Sequence, residues 1–179
     1  NEGWHYLAGN NIPRSSKREV LYLDDMEQFL TKTNPDLQVD EIRQIMDNVR
    51  LVGAETDFAT LHRVYGWMVD GVQFEPQAGL PRMVKLIDFE NPENNIFEVM
   101  TEVSYRNGAD SFRPDITIFV NGLPLAFIEV KVPDNKQGIQ AEHRRMSERF
   151  SQEKYRRFAN ITQLMIFSNN SEYDNDEIV

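Results

Sequence analysis

Two acidic residues and a lysine stand at a spacing that can support phosphoryl chemistry. Asp115 follows Arg113-Pro114, and thirteen residues separate it from Glu129, which is followed by Val130 and Lys131. Mg²⁺ in proteins prefers a few carboxylate oxygens and keeps several of its waters. A neighbouring ammonium group can orient or deprotonate a metal-bound water, or stabilise the charge of a pentavalent phosphorane. The three side chains therefore indicate a site for a hard divalent cation.

The two acids fall on two predicted strands that a tight turn connects. Asp115–Val120 and Leu125–Val130 are short apolar runs, and Asn121-Gly122 between them suits a tight hairpin turn because both residues tolerate a positive φ. Side chains two apart on a strand project from the same face, so Glu129 and Lys131 project together. Pairing across the turn brings the first acid next to them.

An ordinary structural role is the alternative for these residues. Asp115 would then only open a strand, and Glu129 and Lys131 would form a common ion pair, since an acid followed later by E-x-K also occurs by chance. However, Glu129 follows four apolar residues. Charges in a buried strand are rare unless they are paired or bind a metal. The pattern therefore favours the functional interpretation without excluding the structural one.

At these residues the sequence resembles a known family. The run from Asn91 to Lys131 reads NPENNIFEVMTEVSYRNGADSFRPDITIFVNGLPLAFIEVK. It looks like the N-terminal nuclease region of the restriction (R) subunit of type I restriction–modification enzymes, whose hallmark is RPD, a hydrophobic residue, FVNGLPL, a hydrophobic stretch and E-x-K. Weaker similarity covers most of the chain and includes Gly3-Trp4, Asn34-Pro35, residues 84–89 and Gln163–Asn170.

The resemblance implies a PD-(D/E)xK nuclease fold and an enzyme, a type I site-specific deoxyribonuclease that cleaves double-stranded DNA with Mg²⁺. Asp115 and Glu129 would be metal ligands, the backbone carbonyl of Val130 would add a further ligand, and Lys131 would be the catalytic lysine. The implied partners are double-stranded DNA and the modification and specificity subunits of a restriction–modification complex.

Other parts of the family's pattern are not found in this sequence. The family continues into an ATP-driven DNA-translocating motor, but the sequence has no G-x-x-x-x-G-K-[ST] loop, so we expect ATP to serve only a motor outside this chain. The family's first helix, which often supplies a further acid, would precede Asn1. Many members carry Gln-x-x-x-Tyr on the helix after the catalytic strand. Neither Gln140–Arg144 nor Gln152–Tyr155 matches, so no role is carried over there.

The elements that must position these residues follow from apolar periodicity. Residues 1–16 read as an irregular arm with a short strand at Trp4–Leu7, and residues 17–170 as the nuclease domain, with a helical region at 17–66 and a sheet core at 67–170. Residues 171–179 would begin a linker to the motor. The predicted helices are Glu19–Thr31, Val39–Val49, Glu55–Tyr65 and Lys136–Phe158, and the further strands are Val69–Phe74, Met83–Phe89, Phe97–Tyr105 and a buried Gln163–Phe167. The fold class is therefore α/β, a mixed central β-sheet flanked by helices, restriction-endonuclease-like, with a helical N-terminal region.

The charge distribution gives two opposite indications about DNA binding. The chain carries a net charge of −10, which by itself argues against nucleic-acid binding, yet basic residues outnumber acids within residues 136–160. Arg144, Arg145 and Arg149 are the candidates for contacts with the DNA backbone. Docking against the motor is their rival role, and a solvated helix face with i,i+4 ion pairs is a third interpretation.

Composition excludes several other classes of protein. The chain has no cysteine, which rules out disulfides, thiol nucleophiles and cysteine-ligated metal centres. No long apolar run and no signal peptide are found, so we expect a cytoplasmic protein with no membrane partner. Two functional alternatives to a type I nuclease remain. One is a non-catalytic nuclease-like module that docks between DNA and partner subunits, and the other is a repair-type nuclease of the same fold.

Overall fold

The computed structural model describes residues 3–9, 12, 14, 16–53, 58–132, 138–156 and 158–169. Three helices precede most of the strands, as the apolar periodicity predicts. The helices are α1 (Leu23–Thr33), α2 (Val39–Gly53), α3 (Phe58–Asp70), α4 (Gly138–Ser151) and α5 (Glu153–Arg156). The strands are β1 (Trp4–Ala8), β2 (Val72–Phe74), β3 (Arg82–Val84), β4 (Phe97–Thr101), β5 (Tyr105–Asn107), β6 (Asp110–Phe112), β7 (Ile116–Val120), β8 (Leu123–Val130) and β9 (Leu164–Ser168).

Five of these strands form the central sheet in the order β1-β4-β7-β8-β9. The middle of the sheet is antiparallel, because β4 pairs with β7 and β7 pairs with β8, whereas the outer strands β1 and β9 run parallel to their neighbours. The strand pairs β2–β3 and β5–β6 form two small antiparallel sheets. This arrangement confirms the predicted fold class, a mixed central sheet with helices and a helical N-terminal region.

The turn between β7 and β8 is fixed by both of its residues. Asn121 and Gly122 have positive φ angles of 50° and 76°, as the sequence predicts for a tight turn. The Asn121 side chain is buried, accepts the N–H of Ile96 at 2.8 Å and donates to the carbonyl of Leu86 at 2.9 Å. The Gly122 carbonyl accepts the N–H of Tyr22 at 2.9 Å. The helical region therefore holds the turn from one side, and the loops around β4 hold it from the other.

A cluster of aromatic rings lies beneath the ends of β7 and β8 that face away from the turn. Phe112 contacts Phe127 edge to face at a centroid distance of 5.1 Å, and Phe150 of α4 at 5.2 Å. Phe158 and Tyr105 complete the cluster at 5.9 Å from each other. Phe112 lies three residues before Asp115 and Phe127 two before Glu129, so this packing connects the segments that carry the two acids to α4.

Several predicted elements begin or end elsewhere. Helix α1 starts at Leu23 rather than Glu19, because the Glu19 carboxylate accepts the N–H groups of Val20 and Leu21 and holds the chain in a turn before the helix. The predicted strand at 97–105 is interrupted at Glu102, whose φ is 54°. The last strand was predicted to be buried, which is wrong, since Leu164, the first residue of this edge strand, is 55% exposed.

The remaining differences concern the lengths of elements. Helix α3 continues to Asp70, so β2 begins only at Val72, and the strand predicted over 83–89 shrinks to β3. The long helix predicted over 136–158 is two helices, α4 and α5. Residues 136, 137 and 157 of that prediction lie outside the described ranges, as do residues 55–57 of the predicted third helix. None of the helices in the described ranges has the length and apolarity to span a bilayer.

Gly122 provides a test of how closely the hairpin turn packs. A Cβ at this position would overlap the carbonyl oxygen of Tyr22, and alanine would also keep a strained positive φ. We expect Gly122→Ala to lower the free energy of unfolding by more than the roughly 1–3 kcal/mol that backbone strain costs alone, measured by urea denaturation. Gly108→Ala is the matched control, because Gly108 has a φ of 63° but open space where its Cβ would lie. Equal losses in the two variants would contradict the close packing on Tyr22.

Candidate active site

Asp115 lies at the end of the hairpin where the backbone ladder between β7 and β8 stops. Its Oδ2 atom accepts the N–H of Val130 at 2.7 Å, in place of the backbone carbonyl that would continue the ladder. Its own carbonyl accepts the N–H of Glu102 at 2.9 Å, and the preceding Pro114 is buried. The predicted pairing is therefore found, since Asp115 lies opposite the segment that carries the other two residues.

Glu129 is the most deeply buried acid of the predicted set, with 5% of its surface exposed. Its Oε1 atom is buried and has no hydrogen-bond partner, and its Oε2 atom lies 3.8 Å from Nζ of Lys131. Burial raises the pKa of this carboxyl to about 7, and the nearby charges of Asp115 and Glu142 add to the effect. A buried carboxylate oxygen with no partner beside a second carboxylate is suited to a cation.

A hard cation fits the oxygen donors at this end of the hairpin. Asp115 and Glu129 supply two carboxylates, and the backbone carbonyl of Val130 adjoins them in sequence. Within the described ranges no group of three or more His, Asp or Glu side chains is arranged to hold a metal ion. A cation held by two carboxylates and one carbonyl would keep several waters, as Mg²⁺ does.

Lys131 is held by contacts from two neighbouring elements. Its backbone N–H donates to the carbonyl of Ser168 at 2.7 Å, which ties the end of β8 to β9. Its ammonium group lies 3.0 Å from Oε2 of Glu142, closer than it lies to Glu129. The side chain is 25% exposed, so the ammonium group sits at the border between the buried acids and solvent.

Glu142 belongs to this cluster, although the sequence analysis assigned it no role. It lies on α4, is 5% exposed, and its Oε1 atom accepts the Nε–H of Arg145 at 2.8 Å. Burial opposes ionisation, but the hydrogen bonds from Lys131 and Arg145 outweigh it and hold the pKa of Glu142 below its usual range. Its spacing from Gly138 and Met146, the other buried residues of α4, was the available signal, because residues four apart share a helix face.

The three arginines proposed to contact DNA differ in their surroundings. Arg145 and Arg149 follow Glu142 at helical spacing and lie on the same side of α4, whereas Arg144 is displaced to another side. Arg144 and Arg145 are exposed. Arg149 stacks over the rings of Phe112 and Tyr155, at 5.7 and 5.6 Å from their centroids. Their role in DNA binding stays a prediction.

A second pair of buried acids lies away from this cluster. Glu98 lies on β4 opposite Phe119 of β7. Phe119 is near the turn end of β7, four residues after Asp115 along the chain. Burial raises the pKa of Glu98 to about 7, and the charge of Asp25 on α1 adds to it. Burial likewise raises the pKa of Asp25, to about 6. These two acids do not extend the cluster at Asp115.

Comparisons with known proteins show that the chain is similar to subunits of type I restriction enzymes. The sequence model of the family described as "Type I restriction enzyme R protein N terminus" matches residues 1–174. The type I restriction enzyme HindI endonuclease subunit of Haemophilus influenzae is 32% identical over 146 residues, 73% of this chain. The putative type I restriction enzyme MjaIXP endonuclease subunit of Methanocaldococcus jannaschii is 30% identical over 150 residues, 76% of this chain. The chain spans only 14% of the length of each of these two relatives.

The raised pKa of Glu129 predicts a stability that falls as pH rises. With a pKa of about 7 instead of 4.5, the folded chain binds more protons than the unfolded chain between those values, so raising the pH through this window removes stability. In EDTA, we expect Glu129→Gln to raise the melting temperature at pH 8, and the gain to shrink towards pH 5.

The matched control is Glu148→Gln, which neutralises an exposed acid on helix α4 and should show no such pH-dependent gain. Mg²⁺ added at pH 8 should raise the melting temperature of the unaltered chain more than that of Glu129→Gln. A gain for Glu129→Gln that is the same at pH 5 and pH 8 would contradict the burial of an ionisable group at this position.

Proposed function

Because the chain belongs to the family of type I restriction enzyme R protein N termini, we propose that it is the nuclease region of such an R protein. In this proposal it hydrolyses phosphodiester bonds of double-stranded DNA in a Mg²⁺-dependent reaction, within a complex that translocates DNA. One observation carries the proposal: Asp115, Glu129 and Lys131, the acid–acid–lysine set of the family resemblance, meet at one end of the β7–β8 hairpin.

Each of these residues has a distinct task in the proposed reaction. Asp115, Glu129 and the backbone carbonyl of Val130 would hold Mg²⁺, which when bound polarises the phosphate and acidifies a water. The N–H of Val130 fixes the Asp115 carboxylate before any ligand arrives, so this group need not reorganise. The Lys131 ammonium, at the border with solvent, supplies positive charge next to the reacting phosphate or orients the attacking water.

The proposed partners are double-stranded DNA and the modification and specificity subunits of a restriction–modification complex in the cytoplasm. ATP would act only on a motor in the remainder of the R protein. Arg144 and Arg145 are exposed on the helix that adjoins the acids, which supports them as contacts for the DNA backbone. Arg149 packs on aromatic rings, so its contribution would be to order α4 as well as to add charge.

A non-catalytic docking module is the second candidate. The net charge of −10 favours it, because an acidic surface weakens contact with DNA in the absence of partner subunits. The two candidates differ in one outcome, since a docking module would tolerate removal of the acid–acid–lysine set without loss of cleavage by the assembled enzyme.

Lys131→Ala tests the proposal on the complete R protein assembled with its partner subunits. We expect plasmid cleavage to fall by roughly 10²–10³-fold, as when one electrostatic element of an active site is removed. ATP hydrolysis and translocation should continue, because they belong to the motor.

Lys85→Ala serves as the control, since Lys85 is also paired with an acid, Glu90 at 2.9 Å, but on an exposed surface of the loop after β3. Cleavage by Lys131→Ala at the rate of the unaltered enzyme, combined with a lower melting temperature, would mean that the lysine is structural and that the nuclease site lies elsewhere.

A further inference from the structure

We propose that Glu142 is a positioning residue for DNA cleavage, and that it holds the ammonium group of Lys131 at the acidic end of the hairpin from helix α4. The inference rests on the proposed function, because it assigns Glu142 a role that acts through the lysine. It adds to the acid–acid–lysine set a residue from an element that lies outside the hairpin.

The distances identify Glu142 as the group that fixes the ammonium. Nζ of Lys131 lies 3.0 Å from Oε2 of Glu142, within hydrogen-bonding range, but 3.8 Å from Oε2 of Glu129, outside it. A lysine has a flexible four-carbon stem and a charge without directional preference, so its position depends on its partner. Glu142 on α4, rather than Glu129 on β8, therefore sets the position of the ammonium group.

Glu142 is itself held firmly enough to position another side chain. It is 5% exposed, and Arg145 donates to its other oxygen through both Nε and Nη2. Helix α4 is anchored by Met146, which is 3% exposed, and by Phe150, which packs on Phe112. The carboxylate is thus carried by a packed helix, and Arg145 holds the oxygen that Lys131 does not contact.

The two buried glutamates differ in what their oxygens can still bind. Both oxygens of Glu142 are engaged, one by Lys131 and one by Arg145. Oε1 of Glu129 is buried without a partner. Glu129 therefore has an oxygen that can bind a cation, whereas both oxygens of Glu142 already contact the side chains of Lys131 and Arg145. A buried carboxylate between two cations would lose much of its effect as an amide, because an amide keeps the shape but removes the charge.

The test uses the R protein assembled with its partner subunits and compares Glu142→Gln with Glu148→Gln, an exposed acid on the same helix. Cleavage is measured in single turnover, with the enzyme in saturating excess over the plasmid and at saturating Mg²⁺. We expect Glu142→Gln to lower the cleavage rate constant by about 10- to 100-fold, the loss that a misplaced catalytic group causes. The affinity for DNA and the Mg²⁺ concentration at half-maximal rate should stay unchanged, since Glu142 would contact neither. Glu148→Gln should cleave normally.

A double-mutant cycle shows whether Glu142 acts through the lysine. In a Lys131→Ala background, Glu142→Gln should cause no further loss, because the group that it positions is already gone. Losses that multiply in the double variant would overturn the proposal, and so would a Glu142→Gln variant whose half-maximal Mg²⁺ concentration rises together with the loss of rate, since that would make it a metal ligand. If Glu142→Gln does not fold, as judged by its melting temperature, Glu142→Asp takes its place. It keeps the charge but withdraws it from the lysine, and the same loss of rate is expected.

Failure of this inference can be told apart from failure of the proposed function. If Asp115→Asn and Lys131→Ala both abolish cleavage while Glu142→Gln cleaves at the unaltered rate, the proposed function stands and the role of Glu142 is wrong. If Asp115→Asn and Lys131→Ala also cleave normally, the nuclease site itself is wrong, and the positioning role falls with it.

Discussion

The site depends on the register of the β7–β8 hairpin. The hydrogen bond from the N–H of Val130 to the carboxylate of Asp115 exists only if the strands pair as they do, with Ile116 opposite Ile128. A slip by one residue would turn every side chain of β8 to the other face and would carry Glu129 away from Asp115. The Asn121-Gly122 turn at the far end, held by Tyr22 and Ile96, and the aromatic cluster beneath the near end both fix this register.

The same arrangement confines several charges to a small, partly buried volume. Glu129 is buried against two other acids, which disfavours its ionised form, and Lys131 and Arg145 compensate only partly because their hydrogen bonds go to Glu142. Burying a charge without a partner is unfavourable, so ionisation of Glu129 near neutral pH lowers the stability of the fold. A bound cation would offset this loss of stability. The energetic conflict and the proposed chemistry thus arise from the same residues.

The hairpin and the proximity of Asp115, Glu129 and Lys131 were predictable because their signals are local. The Asn-Gly turn and two apolar runs determine the strands, and E-x-K places two side chains on one face. The contact of Glu142 with Lys131 was not predictable, because it depends on how α4 packs against β9 and Phe112. The exposure of Leu164 and the stacking of Arg149 on Phe112 likewise follow from tertiary packing. The apolar run at 83–89 indicated a long strand, but pairing with β2 covers only Arg82–Val84.

The central claim is that Asp115 and Glu129 bind one divalent cation. Crystals of the chain soaked in Mn²⁺, which replaces Mg²⁺ and scatters anomalously, test it directly. We expect an anomalous peak that both carboxylates contact, with the unpartnered Oε1 of Glu129 among the ligands, and we expect the peak to be lost in Asp115→Asn. An ordered site with no peak at saturating Mn²⁺, or a peak that neither carboxylate contacts, would contradict the claim.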